Sequence, residues 1–190
     1  MLEEESKIRW QRFLLGDNDA YCWLYNAYVQ MLFRYGLRFT SDSELIKDCI
    51  QELFTTVFKN RKNPCPPPAN IKVYLFVSLK NNLFRTLEKQ SRYEPMEKET
   101  DSFLLEPTVE EQFINDESHR TRRNLVEKIL KSLTPRQKEI IYYRYIQEFD
   151  FNEICTLMDL NYQSAQNLLQ RSIKKIRSLF PPQSADINLY

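Results

Sequence analysis

Glycine is almost absent from this sequence, since Gly16 and Gly36 are the only two among 190 residues. Loops that cradle phosphate groups or dinucleotides need several closely spaced glycines, so the sequence excludes such a loop. The single histidine, His119, lies in a polar and charged stretch, and neither an HExxH motif nor a nucleophile elbow is present. We therefore expect no catalytic residue, no metal site and no cofactor, and the sequence favours a protein that is not an enzyme.

Cysteine and long apolar runs are also scarce. The four cysteines, Cys22, Cys49, Cys65 and Cys155, include no CxxC pair, and we interpret Cys49 and Cys155 as small core residues on apolar helical faces. No apolar run approaches the roughly 18 residues of a membrane-spanning helix. The first ten residues lack the layout of a signal peptide. We therefore expect a cytoplasmic protein without membrane insertion.

Acidic and basic residues balance to a net charge of +1, but the balance differs along the chain. Residues 1–90 carry 13 basic and 10 acidic groups, residues 91–120 carry 3 and 9, and residues 121–190 carry 11 and 7. Two mildly basic halves thus flank an acidic middle. This asymmetry directs attention to nucleic-acid binding.

Apolar residues recur three and four positions apart over most of the chain and strict alternation is absent, so the pattern predicts helices. The periodicity is lost between residues 91 and 120, which are rich in Glu, Ser, Thr and Asp. We predict an all-α protein of two small helical domains. The predicted parts are a helical bundle over residues 1–90, a flexible acidic linker over 91–120, a helix-turn-helix domain over 121–181 and a tail over 182–190.

Capping residues and helix breakers predict several helix ends. The first helix is expected to run from about Ser6 to Leu15 and to stop at Gly16, after which Asp17 or Asn18 can cap the second. Four of the five residues 64–68 are proline, which cannot continue a helix, so the next helix resumes near residue 71. In the second half, a threonine cap and a proline at the first helical position open "TPRQKEIIYYRYI". The apolar positions that follow there are Ile140, Ile141, Tyr143 and Tyr145.

The stretch "FNEICTLMDLNYQSAQNLLQRSIKKI" breaks its helical pattern once, at residues 159–161. It fits a helix-turn-helix, which needs a small residue at the crossing, a tight turn and a second helix with one buried stripe. We predict a first helix over residues 153–158 with Cys155 at the crossing, Asp159 in the turn, Leu160 pointing inward and Asn161 as the cap of the second helix. The predicted buried stripe of that helix is Ala165, Leu169, Ile173 and Ile176.

The outward positions of the second helix are mostly uncharged amides followed by cations. Amide side chains can pair with base edges in the major groove, and cations suit phosphates. The candidate DNA-binding residues are Tyr162, Gln163, Ser164, Gln166, Asn167, Gln170, Arg171 and Lys174. An ordinary helical hairpin with a solvated polar face remains the alternative for this stretch.

The N-terminal half has a second basic region. Residues 53–90 hold seven basic groups and one acid, Glu88, interleaved with aromatic and amide side chains beside the stiff proline-rich loop. Such a combination suits single-stranded DNA with a displaced base, and a soluble helix with a charged face is the alternative. Before this region, an apolar stripe opposes a polar face that includes Asp48, Gln51 and Glu52. The stripe is Leu45, Ile46, Cys49, Ile50, Leu53, Phe54, Val57 and Phe58.

Three segments together resemble the sigma factors of bacterial RNA polymerase, specifically the small two-domain extracytoplasmic-function group. "KDCIQELFTTVF" resembles the helix with which the family binds core polymerase, and "IKVYLFVSLKNNLFRTLEK" resembles the helix that follows it. The stretch from residue 133 to residue 180 resembles the C-terminal domain of the family. The resemblance depends on the order and spacing of these segments together with the acidic tether.

The resemblance implies a protein that binds core RNA polymerase and directs promoter-specific transcription initiation. It implies contacts with the clamp of the largest subunit and with the flap, with promoter DNA and with an anti-sigma factor. The implied polymerase-binding residues are Asp48, Gln51, Glu52 and Phe54. The implied residues at the −10 element are Arg61, Lys62, Asn63, Asn70, Lys72, Lys80, Asn81 and Arg85. The helix that begins with Tyr162 would read the −35 element, and the acidic tether would thread towards the RNA exit path.

Two departures from the family pattern and two rival functions accompany this interpretation. Leu168 stands where the family often has a basic residue, and the loop with four prolines is unusually stiff. The first rival is a helix-turn-helix regulator that binds duplex DNA without polymerase docking. It leaves the polar face around Asp48 unexplained. The second is a helical adaptor that sequesters partners and binds no DNA.

Overall fold

The structure, a computed structural model, describes residues 2–62, 68–93, 103–105 and 117–180. The chain divides into two compact units, Met1–Ser102 and Phe103–Tyr190, which are called unit 1 and unit 2 below. Within the described ranges every regular element is a helix, which confirms the predicted all-α class.

The described part of unit 1 contains four helices. They are α1 (Leu2–Leu14), α2 (Asn18–Gly36), α3 (Ser43–Asn60) and α4 (Ile71–Tyr93). The seven residues from Leu45 to Val57 in the predicted stripe of α3 are buried, and Phe58 at its end is partly exposed. Because α3 buries one face fully, its opposite face is held towards solvent.

α1 begins at Leu2, four residues before the start that the sequence pattern predicts. The difference arises at Ser6, a polar residue that interrupts the apolar pattern but is buried. Its hydroxyl hydrogen-bonds the phenol of Tyr28 at 2.8 Å and donates to the carbonyl of Leu2 at 2.7 Å. Burial and the nearby Glu3 carboxylate raise the pKa of Tyr28 to about 12, although the bond to Ser6 opposes the shift. A satisfied serine therefore belongs to the core of unit 1.

Local chemistry sets the boundary between α1 and α2 as predicted. Gly16 has a φ of +99°, a left-handed conformation that favours glycine, and it ends the helical path. Asp17 caps α2, since its carboxylate accepts from the amide of Ala20 at 3.0 Å. That bond and the Arg12 guanidinium lower the pKa of Asp17.

Gly36, the other glycine, has an ordinary φ and a different reason to be glycine. It is buried at the end of α2, and a Cβ placed on it would lie 2.6 Å from Cγ2 of Ile46 on α3. The missing side chain allows the backbone of α2 to approach α3 closely.

Unit 2 contains α5 (Glu117–Ser132), α6 (Pro135–Ile141), α7 (Phe151–Met158) and α8 (Tyr162–Arg177). α6 continues into a π-helical turn over Tyr142–Ile146. The predicted start of α6 is confirmed, since Thr134 and Gln137 form a reciprocal capping box and Pro135 occupies the first helical position.

The π-helical turn changes the register that the sequence pattern predicts. Tyr142 and Tyr143 are both buried, whereas Tyr145 is 53% exposed and Ile146 is 56% exposed. A π turn holds more residues per turn than an α-helix, so the positions that follow Tyr143 no longer face the directions that an α-helical period predicts. The apolar positions predicted at Ile140 and Tyr143 are buried, but Tyr145 is not part of the core.

Phe103 belongs to the core of unit 2, although the sequence pattern places it within the linker. Its side chain is only 4% exposed, and its ring centroid lies 5.3 Å from that of Tyr142 and 6.2 Å from that of Tyr143. Except for residues 103–105 and the start of α5, the predicted linker after Tyr93 lies outside the described residues.

Candidate functional site

The turn between α7 and α8 has the predicted helix-turn-helix form. Asp150 and Glu153 form a capping box that starts α7. Asp159 ends α7 in a left-handed conformation, with φ 51° and ψ 54°, and the amide of Leu160 donates to the carbonyl of Cys155 at 3.0 Å. Aspartate tolerates this conformation better than most residues other than glycine, as predicted. The crossing residue Cys155 and the turn residue Leu160 are half-buried.

Asn161 caps α8 as predicted, because its side-chain oxygen accepts from the amide of Ser164 at 2.8 Å. The buried stripe of α8 differs in part from the prediction. Ala165 and Leu169 are buried, but the third buried residue is Ser172 and not Ile173, which is half-buried. Ser172 can face inward because its hydroxyl donates to the carbonyl of Leu168 at 2.7 Å. The other predicted member of the stripe, Ile176, is half-buried too.

All eight predicted DNA-binding residues of this motif lie on α8. Ser164 and Gln166 are half-buried, and the amide of Ser164 is already used in the cap. The other six are exposed: Tyr162, Gln163, Asn167, Gln170, Arg171 and Lys174. They form a polar surface with an amide-to-amide bond of 3.3 Å between Gln163 and Asn167 and with cations towards its C-terminal end. We call these six residues the α8 face.

Two ring contacts fix the start of the α8 face against the preceding elements. The rings of Phe151 and Tyr162 lie 5.4 Å apart, which joins the first residues of α7 and α8. The guanidinium of Arg144, from the π-helical turn, lies 5.6 Å from the Phe151 ring and donates to the carbonyl of Phe149 at 3.0 Å. The start of α8 therefore packs on α7, which packs in turn on the π-helical turn.

The predicted polymerase-binding residues lie on α3, and three of them are exposed: Asp48, Gln51 and Glu52. We call these three the α3 face. The fourth, Phe54, is only 3% exposed, so its side chain is not positioned for a direct contact with polymerase. The centroid of its ring lies 5.0 Å from that of Tyr25, so Phe54 packs α3 against α2.

The predicted −10 residues that are described lie at the end of α3 and on α4. Arg61 stacks on the ring of Phe58 at 4.3 Å, and Lys62 is exposed. Asn70 is not part of an exposed surface, since it is half-buried and its side-chain oxygen accepts from the amide of Val73 at 3.1 Å. Asn63 lies outside the described residues, as do three of the four prolines of the loop.

The remaining −10 candidates form two adjacent rows on α4. In the first row, Lys72 lies 5.9 Å from the ring of Phe76, and Lys80 lies 5.9 Å from the ring of Phe84. Both lysines are half-buried; the ring beside Lys72 is buried and the ring beside Lys80 is half-buried. In the second row, Asn81 and Arg85 are one helical turn apart and exposed.

An ion pair joins the α3 face to the second row of α4. The guanidinium of Arg85 lies 2.8 Å from the carboxylate of Glu52, with both side chains about half exposed. It also donates to the side-chain oxygen of Asn82 at 3.2 Å. Sequence reasoning assigns the two partners to different ligands and has no signal for their contact, because they are 33 residues apart.

α1 has a role that sequence reasoning missed. The carboxylate of Glu3 accepts from the amide of Ile71 at 3.0 Å and so caps α4 across 68 residues. The rings of Trp10 and Tyr74 also meet edge to face at 5.6 Å. The start of α4, where the proline-rich loop ends, is therefore held by α1.

Two predictions about cysteines and membranes can be compared with the described residues. Cys49 is buried, which confirms it as a core residue, and burial raises the pKa of its thiol. Cys155, also predicted to be a core residue, is only half-buried. None of the described helices has the length and apolarity needed to cross a bilayer. Among the described residues, no group of three His, Cys, Asp or Glu side chains is arranged to hold a metal ion.

The helix-turn-helix with its exposed polar α8 face places the chain among helical DNA-binding proteins. The comparisons with known families make this more specific. The family model "Sigma-70 region 2" matches residues 24–93, and "Sigma-70, region 4" matches residues 123–176. The chain therefore belongs to the sigma-70 family, with the two-domain layout of the extracytoplasmic-function group that the sequence resembles.

Solved structures with similar folds include two protein complexes. One is CnrH in complex with the cytosolic domain of CnrY, with 16% identity, coverage of 92% of this chain and 96% of that chain, and a TM-score of 0.57. The other is the sigma factor RpoE in complex with the anti-sigma factor NepR from Bartonella quintana, with 15% identity, 84% and 95% coverage, and a TM-score of 0.57. At these identities the similarity concerns the fold alone. No curated protein sequence matches the chain significantly.

Family membership settles the main function. The chain is a sigma factor, which binds core RNA polymerase and directs transcription initiation from specific promoters. The match to region 2 spans most of α2 and all of α3 and α4, so it accounts for the part of the chain that a simple helix-turn-helix regulator leaves unexplained. The sigma family is not a family of enzymes.

Proposed function

We propose a division of labour between the two units. Unit 1 docks on the clamp of the largest polymerase subunit through the α3 face. It holds the melted −10 strand with Arg61, with Lys62 and with the second row of α4, which is Asn81 and Arg85. Unit 2 reads the −35 element through the α8 face and contacts the flap. The observation that carries the proposal is the α8 face, because an exposed array of amides that ends in cations, on the second helix of a helix-turn-helix, suits base edges and phosphates.

The DNA-reading part of the proposal predicts the effect of one charge reversal. Arg171→Glu removes a cation from the α8 face and adds an acid that repels phosphate, and a lost base contact costs about 1–3 kcal/mol. We expect run-off transcription with purified core polymerase to fall at least tenfold. Lys128→Glu serves as the matched control, because Lys128 is exposed on α5 and its replacement changes the net charge by the same amount. Equal loss in both variants, or in neither, would contradict the assignment of the α8 face.

The docking part is tested without DNA. The triple variant Asp48→Ala, Gln51→Ala and Glu52→Ala should bind core polymerase much more weakly, because it removes the whole α3 face. Glu44→Ala is the control, since Glu44 is exposed on the same helix and pairs only with its neighbour Lys47 at 2.6 Å among the contacts described for it. An unchanged dissociation constant for the triple variant would place the docking surface elsewhere.

A partner that restrains the free chain is part of the same proposal. The RpoE structure of similar fold was solved with an anti-sigma factor, and we infer an anti-sigma partner that covers the α3 face. Such a partner and core polymerase should compete for the chain, so addition of core polymerase to the purified complex should displace the partner.

We place the protein in the cytoplasm, where polymerase and chromosome are, and cell fractionation tests this location.

A further inference from the structure

α1 lies outside the part of the chain that matches region 2, but it packs on the start of α4. The match covers residues 24–93, and α1 precedes that range. Two contacts join the helices. The rings of Trp10 and Tyr74 meet edge to face at 5.6 Å, and the Glu3 carboxylate accepts from the amide of Ile71 at 3.0 Å. The family match therefore includes only one side of each contact.

The amide of Ile71 needs a partner that its own helix does not supply. Ile71 is the first residue of α4, and the first amides of a helix have no helical carbonyl one turn earlier to which they can donate. Asn70 serves the amide of Val73 at 3.1 Å, as a cap within the same turn. Ile71 is only 1% exposed, so water has little access to it, and Glu3 satisfies its amide from another helix. Without Glu3, the start of α4 has to move or keep a buried donor unpaired.

The same junction borders the end of the proline-rich loop. A cavity of about 230 Å³ opens there between α1 and the residues that lead into α4. Its lining consists of Lys7, Trp10 and Gln11 from α1 and of Pro68, Ala69 and Ile71. The proposed −10 residues lie on both sides of the junction, since Arg61 and Lys62 precede the loop and Asn81 and Arg85 follow on α4. A shift of the chain at Ile71 therefore alters the placement of one group relative to the other.

We propose that Glu3 is a positioning residue for recognition of the −10 element. Glu3 acts through Ile71: its carboxylate fixes the first turn of α4 and, with it, the end of the loop that precedes this helix. The inference rests on the proposed function of unit 1, because that function assigns the −10 strand to the residues on either side of the junction. α1 is then a working part of the −10 site, although it lies outside the region 2 match.

Charge and positioning predict opposite effects for one substitution. Glu3→Ala removes an acid from a DNA-binding unit, so charge alone would strengthen binding to the melted strand. Positioning predicts weaker binding, by up to about fivefold, the factor that corresponds to the loss of one helix cap. Two controls separate these effects. Glu4→Ala removes the same charge from an exposed neighbour that pairs with Lys7 at 3.3 Å, and Glu3→Gln removes the charge but keeps an oxygen that can accept from the amide of Ile71.

Holoenzyme is assembled from each variant and core polymerase, and its affinity is measured for a promoter that the wild type uses, with the −10 element held open by mismatches. We expect Glu3→Ala to bind more weakly and to discriminate less against base changes in the −10 element. Discrimination at the −35 element and affinity for core polymerase should stay as in the wild type, and Glu3→Gln and Glu4→Ala should resemble the wild type throughout. A parallel loss at both elements and in polymerase binding, or equal −10 behaviour of Glu3→Ala and Glu4→Ala, would overturn the proposal.

Amide exchange of the free chain, followed by NMR, tests the positioning step without polymerase or DNA. We expect exchange at Ile71 to be about fivefold faster in Glu3→Ala than in the wild type, and unchanged in Glu3→Gln and Glu4→Ala. Unaltered exchange at Ile71 in Glu3→Ala would overturn the proposal, whatever its activity at promoters. A wild-type holoenzyme without any preference for a −10 sequence would refute the proposed function instead, whatever the exchange rates, so the two failures are distinguishable.

Discussion

Replacing Gly36 by alanine tests the packing that holds the α3 face. The new Cβ would lie 2.6 Å from Cγ2 and 3.1 Å from Cγ1 of Ile46, and Ile46 is fully buried, so α2 and α3 have to move apart or Ile46 has to change its rotamer. Overpacking of this kind costs about 1–3 kcal/mol. Alanine is favoured over glycine in a helix by up to about 1 kcal/mol, which offsets part of that cost.

We therefore expect Gly36→Ala to lower the free energy of unfolding of unit 1 by about 1–2 kcal/mol, which corresponds to a melting temperature lower by roughly 5–10 °C. The measurement is denaturant and thermal unfolding of the full chain. Asn26→Ala is the control, because Asn26 is exposed on the same helix and should gain about 0.5 kcal/mol from helix propensity alone.

A double-mutant cycle with Ile46→Ala shows whether the cost arises from this one contact. Ile46→Ala alone leaves a cavity and should cost about 2–5 kcal/mol. In the double variant the added methyl group of position 36 can occupy part of that cavity, so the two costs should be less than additive by about 1 kcal/mol or more. A Gly36→Ala protein as stable as the wild type, or strict additivity in the cycle, would refute the close approach of α2 to α3.

Three further predictions concern single side chains. Glu3→Ala should destabilise unit 1 by about 1 kcal/mol through the lost cap of α4, whereas Glu4→Ala, which is exposed, should change its unfolding free energy by less than about 0.5 kcal/mol. Asn161→Ala should destabilise unit 2 by about 1 kcal/mol and weaken −35 binding, and an unchanged melting temperature would contradict the role of the cap. Because Tyr28 keeps its proton when folded, the stability it contributes is complete below about pH 10 and is lost as the pH rises towards 12. Urea unfolding at pH 8 and pH 11 should therefore show a smaller loss for Tyr28→Phe than for the wild type, and equal losses would be contrary evidence.

The sequence predicts the helix-turn-helix well because its determinants are local. Asp159 in the left-handed turn and Asn161 as the cap act on residues one to four positions away, and their side-chain chemistry is sufficient to place them. Thr134 at the start of α6 is a similar case. In each of these positions the side chain and its partner lie within the same turn of chain, so no knowledge of the tertiary structure is needed.

The failures of sequence reasoning have two physical origins. The periodic pattern assumes an ideal α-helix, so it places Tyr145 in the core, where the π-helical turn exposes it. The pattern also assumes that buried positions are apolar, but Ser172 is buried with its hydroxyl satisfied and Ile173 is half-buried. The other failures are long-range contacts. No pattern within a window of sequence indicates that Phe103 packs on the π-helical turn or that Glu3 caps α4.

The ion pair between Glu52 and Arg85 occupies one of the cations that the sequence offers to a DNA phosphate. Seven basic groups stand against one acid between residues 53 and 90, but a carboxylate from just before that stretch lies 2.8 Å from one of the seven. We expect a binder that engages the Glu52 carboxylate to free the Arg85 guanidinium for a phosphate, so that each binding event favours the other. A salt titration of DNA binding, with and without the first binder present, would register this as one additional displaced counterion.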